Sequence, residues 1–289
     1  MKNRTITHLL YAHKIDMGGL PVRQPFPTSN VEQIDPFLLL HHADIKVPTL
    51  VDPRHAGVGP HPHRGFSPVT FIFKGGVHHR DSRGNDSVVY EGGAQWMNAG
   101  RGLIHSERPP DDIHQRGGRQ EIIQLWLNSP SGAKMDEPTY QPVLANQVGR
   151  VVSDDGRVSL QIFAGKFFDV AGPIAGRDDV QAATLYFEKD GQISIPLPPG
   201  HNAFLYLLDG KLNIDGYGPV EGLHTVVFAR NGEGITLHAL GNTRALLVSG
   251  APLNEKVVAH GPFVMNSETQ ILEAMRDFQI GKMGVLIEE

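Results

Sequence analysis

Apolar residues along the chain come in short runs: "VTFIF", "EIIQLWL", "SLQIFAG", "ATLYFE", "AFLYLLDG", "TVVFA" and "RALLVSG". Glycine, proline and polar residues separate them. Runs of this length, bounded by turn residues, predict the strands of an all-β sandwich or barrel. One stretch has helical spacing instead, "NSETQILEAMRDFQIGK" at 266–282. There Ser267 and Gln270 are spaced as a capping box, Ile271, Leu272, Met275 and Phe278 fall on one face, and Gly281 can end the helix.

The strand pattern occurs twice. "TFIFKGGV" (70–77) aligns with "LYLLDGKL" (205–212), placing Gly75 opposite Gly210. "WMNAGRGLIHSE" (96–107) then aligns with "FARNGEGITLHA" (228–239), and "EIIQLWLNSP" with "RALLVSGAPL". Three matches in one order predict two copies of a β unit. The seam is expected between Pro130 and Val151, in a polar stretch.

Composition narrows the chemistry. The 289 residues suffice for two domains or one large β domain. A net charge of −5 gives no electrostatic case for nucleic acid or an anionic membrane. With no cysteine, any metal must be held by histidine and carboxylate. No secretory leader and no run of about 18 apolar residues is seen, so the expected location is the cytoplasm.

Fifteen histidines make a single His-x-His pair unremarkable, and "GPHPHRGF" at 59–66 contains one. Residues i and i+2 of a strand point to one side, so His61 and His63 project together if the segment is extended. Pro62 lacks a ladder donor and suits a strand's start or edge. His105 and Glu107 in "GLIHSE" share the same parity. If the two strands are neighbours in one barrel, three imidazoles and one carboxylate converge.

The order G-x-x-x-H-x-H, a glycine at the next turn (Gly75), then G-x-G-x-x-H resembles the two motifs of the cupin superfamily. "HPHRGF", "HRDSRGN", "QWMNAGRGLIHSE" and "GPFVMNSETQILEAMRDFQIGKMG" resemble the pirin family in particular, and span most of the chain. The resemblance implies a bicupin, two tandem antiparallel barrels with a short C-terminal helix. Residues 1–140 would form a metal-binding barrel with His61, His63, His105 and Glu107 as ligands. Residues 141–289 would form a second barrel without metal, since Leu237 and Ala239 stand where the first copy has His105 and Glu107. The family commonly has Glu-Thr after "HPHRGF"; here Ser67 and Pro68 follow, and Pro68 is expected to cut into the next strand.

Three histidines and a glutamate suit a first-row divalent ion with open positions, Fe(II) first, with Mn, Cu, Ni and Zn compatible. The family implies quercetin 2,3-dioxygenase activity on a flavonol-like aromatic substrate and O2; a bound metal would lower the pKa of a substrate hydroxyl, and Glu107 is the candidate to accept that proton. The alternatives are a non-enzymatic iron-binding co-regulator with a protein partner, and a bicupin enzyme with another substrate. Other residues are assigned more modest roles. His78 and His79 are expected at the rim, His79 also as a partner behind the ligands. At most one of His41 and His42 can face inward. Gln95 is a candidate to orient a ligand, Arg64 to line the mouth or pair with an acid, and Trp96 and Met97 to fill core.

Overall fold

The computed structural model describes residues 1–49, 56–174 and 179–288. It is an all-β chain with helices at Asp111–Arg116 and Glu268–Gln279 and a single 3-10 turn among the described residues. No described helix is long and apolar enough to cross a membrane.

The chain divides into two compact units, and both are composite. One contains residues 37–145 with 14–23 and 253–289; the other contains 146–252 with 1–13 and 24–36. A division at 140/141 follows chain order, whereas the compact units exchange their ends. The reason is strand pairing. Ile6–Tyr11 adds to the edge strand His224–Phe228 of the second half, in the place that Thr139–Val143 takes beside Ala94–Asn98 in the first.

The duplication read from sequence is a duplication of topology. Each unit has a seven-stranded and a four-stranded antiparallel sheet, with strands in equivalent order. Gly75 and Gly210 both turn the chain at positive φ, 75° and 76°, where a side chain would be strained. The sheet ladders then match the two interiors position by position. His61 faces His105 and His63 faces Leu103; in the other unit Ile193 faces Leu237 and Ile195 faces Ile235. Thr70 lies between Gln95 and Gln124, and Gln124 faces His41. The counterparts are Leu205 between Val226 and Leu247, with Leu247 facing Ala183.

The second unit is thus filled by a single apolar cluster that includes all of these counterparts. In the first unit the same places, Leu103 apart, carry imidazole, amide and hydroxyl groups. Burying so many polar groups is costly unless each is paired. The counterparts of His61 and His63 are therefore Ile193 and Ile195.

The strand Phe66–Lys74 runs through Ser67 and Pro68 without a break. Pro68 is tolerated because the pairing with Ala94–Asn98 begins only at Val69, leaving no lost donor on that side. Ser267 caps the C-terminal helix, its hydroxyl accepting from the Gln270 amide at 3.3 Å. The Gln270 side chain accepts from the Asn266 amide at 3.0 Å, one residue before the cap. Ile271 and Ala274 pack with Phe263, Met265 and Met283. Leu272 and Phe278 are exposed instead, because the buried stripe is centred on Ala274. The helix Asp111–Arg116 is not expected from sequence, since its brevity defeats any periodicity; Pro110 precedes it and Gly117 ends it at φ 72°.

Candidate metal centre

His61 and His63 lie on the strand Val58–His63, an edge of the four-stranded sheet, where Pro62 costs no ladder bond. His105 sits directly across on Leu103–Arg108. The ladder slips by one residue between His105 and Glu107, which brings Glu107 opposite Val58. Among the described residues, His61, His63 and His105 bring ligand atoms within 4.8 Å of one another. Glu107 is not part of that group.

Hydrogen bonds on the far side of each ring fix the tautomers. His61 Nδ1–H donates to the Gly59 carbonyl at 2.8 Å, and His63 Nδ1–H to the Pro262 carbonyl at 3.3 Å. A carbonyl only accepts, so both neutral rings present bare Nε2 lone pairs, and these face each other at 3.0 Å. Two bare lone pairs at that distance repel unless a proton or cation lies between them. Two nitrogens each about 2.1 Å from one ion and at right angles would be about 3.0 Å apart. His105 Nε2 is buried and has no hydrogen-bond partner. Burial pushes the His63 and His105 imidazoles well below their ordinary pKa, and the neighbouring histidines push them further. These two rings are held neutral, as a metal requires of its imidazole ligands. This donor set fits a divalent ion.

Glu107 is fixed by three donors. Thr70 Oγ1 donates to its Oε1 at 3.0 Å and Gln95 Nε2 to the same oxygen at 2.5 Å, while Gln124 Nε2 donates to Oε2 at 2.6 Å. The amides cannot turn over freely. Gln95 Oε1 accepts from the Tyr140 hydroxyl at 3.2 Å and Gln124 Oε1 from the Trp126 indole at 3.2 Å. The network therefore calls for a pure acceptor at position 107. Gln95, assigned from sequence as an orienting residue, orients the glutamate instead of an imidazole.

His61, His63 and Glu107 open on a cavity of about 670 Å³, walled by Trp126, Ile122, Val77 and Val58 with His41 and Gln120 among the polar exceptions. The Trp126 ring lies 5.4 Å from His63 and 4.3 Å from Phe66. His41 is the inward-facing member of its pair, its pKa lowered by burial to about 4, while His42 lies 3.5 Å from Glu121. Strand alternation showed that only one could face inward; which one depended on the register with Gln124.

Behind the triad, His79 is fully buried and its Nδ1 is 3.4 Å from His105 Nδ1. Its neighbour His78 is at the surface with Asp86, 2.6 Å away. Arg64 pairs with Asp277 at 3.1 Å and donates to the Arg101 carbonyl at 2.7 Å. Met97 is core, but Trp96 is only half-buried, since it alternates with Met97 across the strand. Sequence reasoning missed Pro262, Tyr140 and Gln124. Only the alternation of Gln124 with Trp126 in "QLW" hinted that an amide faces the same side as the indole.

Two β-barrel units of cupin type, one carrying a triad of imidazoles, define a bicupin with one candidate metal centre among the described residues. The Pirin family pattern matches residues 19–127 and that of the Pirin C-terminal cupin domain matches residues 182–284. The chain belongs to the pirin family. It is 32% identical over 274 residues to pirin-like protein 2 of Arabidopsis thaliana, covering 92% of this chain and 81% of that one. A crystal structure of quercetin 2,3-dioxygenase from Acinetobacter baumannii superposes with a TM-score of 0.92 at 31% identity, covering 99% of this chain and 100% of that one. The fold is shared with the bacterial pirin YhhW of Escherichia coli in complex with nickel(II), at a TM-score of 0.65 and 22% identity, covering 85% and 99% of the two chains.

Proposed function

We propose that this pirin is a metal-dependent dioxygenase that cleaves flavonols such as quercetin, with His61, His63, His105 and Glu107 holding one divalent ion, iron(II) in the cell. The observation that carries the reading is the set of bare Nε2 atoms on His61, His63 and His105, beside a cavity whose size suits a small molecule. When bound, the ion supplies a Lewis acid for the substrate hydroxyl and a redox centre for dioxygen.

The chain's own residues do the rest. Trp126 and the aliphatic wall take up a planar aromatic ring and exclude water from it. Glu107, held by Thr70, Gln95 and Gln124, takes the proton of the 3-hydroxyl on a carboxylate oxygen as its bond to Gln124 or Gln95 gives way. Holding the substrate beside the triad replaces a chance encounter with a positioned one. Dioxygen adds across the oxygen-containing ring and carbon monoxide leaves, so no external reductant is consumed.

The test is oxygen uptake and carbon monoxide release from a flavonol panel by iron-loaded protein. Turnover should vanish, together with metal content, in the double variant His61→Ala, His105→Ala. Fully loaded protein that consumes no oxygen with any flavonol would reject this activity.

A further inference from the structure

The three imidazoles do not obtain their second hydrogen bond in the same way. His61 is on an edge strand and His63 at that strand's end, so each reaches a free main-chain carbonyl, of Gly59 and Pro262. His105 is on a strand paired on both sides, to Val58–His63 and to Gly76–Asp81, where the carbonyls are engaged in the ladders. Its Nδ1 meets a side chain instead. His79 Nδ1 is 3.4 Å away, and His79 Nε2 is 3.0 Å from Asp81 Oδ2.

We propose that His79 and Asp81 are a positioning pair that holds His105 in the tautomer whose Nε2 faces the metal. The role rests on the metal-centre reading above. A carboxylate only accepts, so Asp81 places the His79 proton on Nε2 and leaves Nδ1 bare. That bare nitrogen accepts from His105 Nδ1–H, and His105 Nε2 is then a lone pair. Asp81 is itself anchored: its Oδ1 accepts from the Arg83 and Asn85 amides at 2.8 and 3.1 Å, and its Oδ2 also accepts from Asn85 Nδ2 at 2.8 Å. The Tyr140 ring stacks on His79 with centroids 3.9 Å apart and planes 5° from parallel, which fixes the ring's plane.

The duplicated unit shows that the barrel does not need this pair to fold. His79 faces Glu107 and Asp81 faces His105; at the same places Leu212 faces Ala239 and Ile214 faces Leu237, all buried. A buried histidine and aspartate are harder to accommodate than leucine and isoleucine. They occur in the unit that has the triad.

The test uses the full chain and Co(II) as the probe, with affinity measured by competition against a chromogenic chelator. His79→Phe keeps a ring against Tyr140 and removes the acceptor; Co(II) binding should weaken about 10- to 100-fold, the usual effect of losing an outer partner. His79→Gln, whose amide oxygen can accept from His105 Nδ1–H, should recover most of that loss. Asp81→Asn should behave like His79→Phe, because an amide NH2 facing His79 Nε2 moves the His79 proton to Nδ1, against that of His105. Proton–nitrogen correlation spectra of the metal-free protein should show His105 as the Nδ1–H tautomer in the wild type and a tautomer mixture in His79→Phe. Wild-type affinity in His79→Phe, or an unchanged His105 tautomer, overturns the proposal. Loss in His79→Gln equal to that in His79→Phe also overturns it, since packing alone would then explain both. Wild-type protein that binds no Co(II), or His105→Ala that binds it fully, instead overturns the metal-centre reading.

Discussion

Replacing Glu107 with glutamine tests whether the interior of the first unit is organised around a pure acceptor. Three donors converge on the carboxylate, and the two amides among them are held in their orientation by Tyr140 and Trp126. In Glu107→Gln, whichever side receives the NH2 group confronts a donor. Placed at Oε2, it meets Gln124 Nε2, and rotating Gln124 to relieve this turns its own NH2 toward the Trp126 indole. Placed at Oε1, it meets both Thr70 and Gln95; the threonine hydroxyl can rotate, but the Gln95 amide cannot without opposing Tyr140. One buried donor is left unsatisfied either way, at about 1–3 kcal/mol, and the remaining bonds lose their charge assistance.

Urea unfolding by tryptophan fluorescence is the assay, in excess chelator so that metal linkage does not enter. The chain has two tryptophans, and Trp96 and Trp126 both lie in the first unit, so the signal reports that unit alone. A destabilisation of about 1–3 kcal/mol is expected, with m unchanged. Leu247→Gln, at the counterpart of Gln124, should leave the fluorescence transition in place. A Glu107→Gln midpoint within error of the wild type would refute the acceptor argument.

Metal should stabilise the same transition: Co(II) at about 100 times its dissociation constant raises it by about 2.7 kcal/mol in the wild type, and by far less in His105→Ala. Trp126→Leu removes the aromatic wall of the cavity, and the flavonol KM should rise about fivefold with kcat less affected, which steady-state kinetics will separate. Lys134 is buried against the Gly65 and Val264 carbonyls and Asn128 Oδ1, and burial lowers its pKa to about 8. A lowered folded pKa means that the unfolded chain binds more protons between about pH 8 and 10.4, so stability rises with pH across that window, on the order of 3 kcal/mol at most. The urea midpoint of the wild type should therefore climb relative to Lys134→Met from pH 8 to 10.

Strand parity is a property of neighbouring residues, so the projection of His61 with His63 and of His105 with Glu107 could be read from the chain alone. So could the repeat, because each copy keeps its own strand, glycine and strand order, and so could the helix, whose cap and stop are local. Pairing across sheets is different. It decided that Glu107 is tied to Thr70, Gln95 and Gln124, that His41 and not His42 faces the cavity, and that Ile193 and Ile195 stand in the places of His61 and His63. The partner of His63 is a carbonyl 199 residues away, and no periodicity reports a carbonyl. Position along the chain fixed which donors exist and which side of a strand they leave from. Only the tertiary structure, by setting ladder register and closing long loops, decided which lone pairs remain unshared and so where a cation can be held.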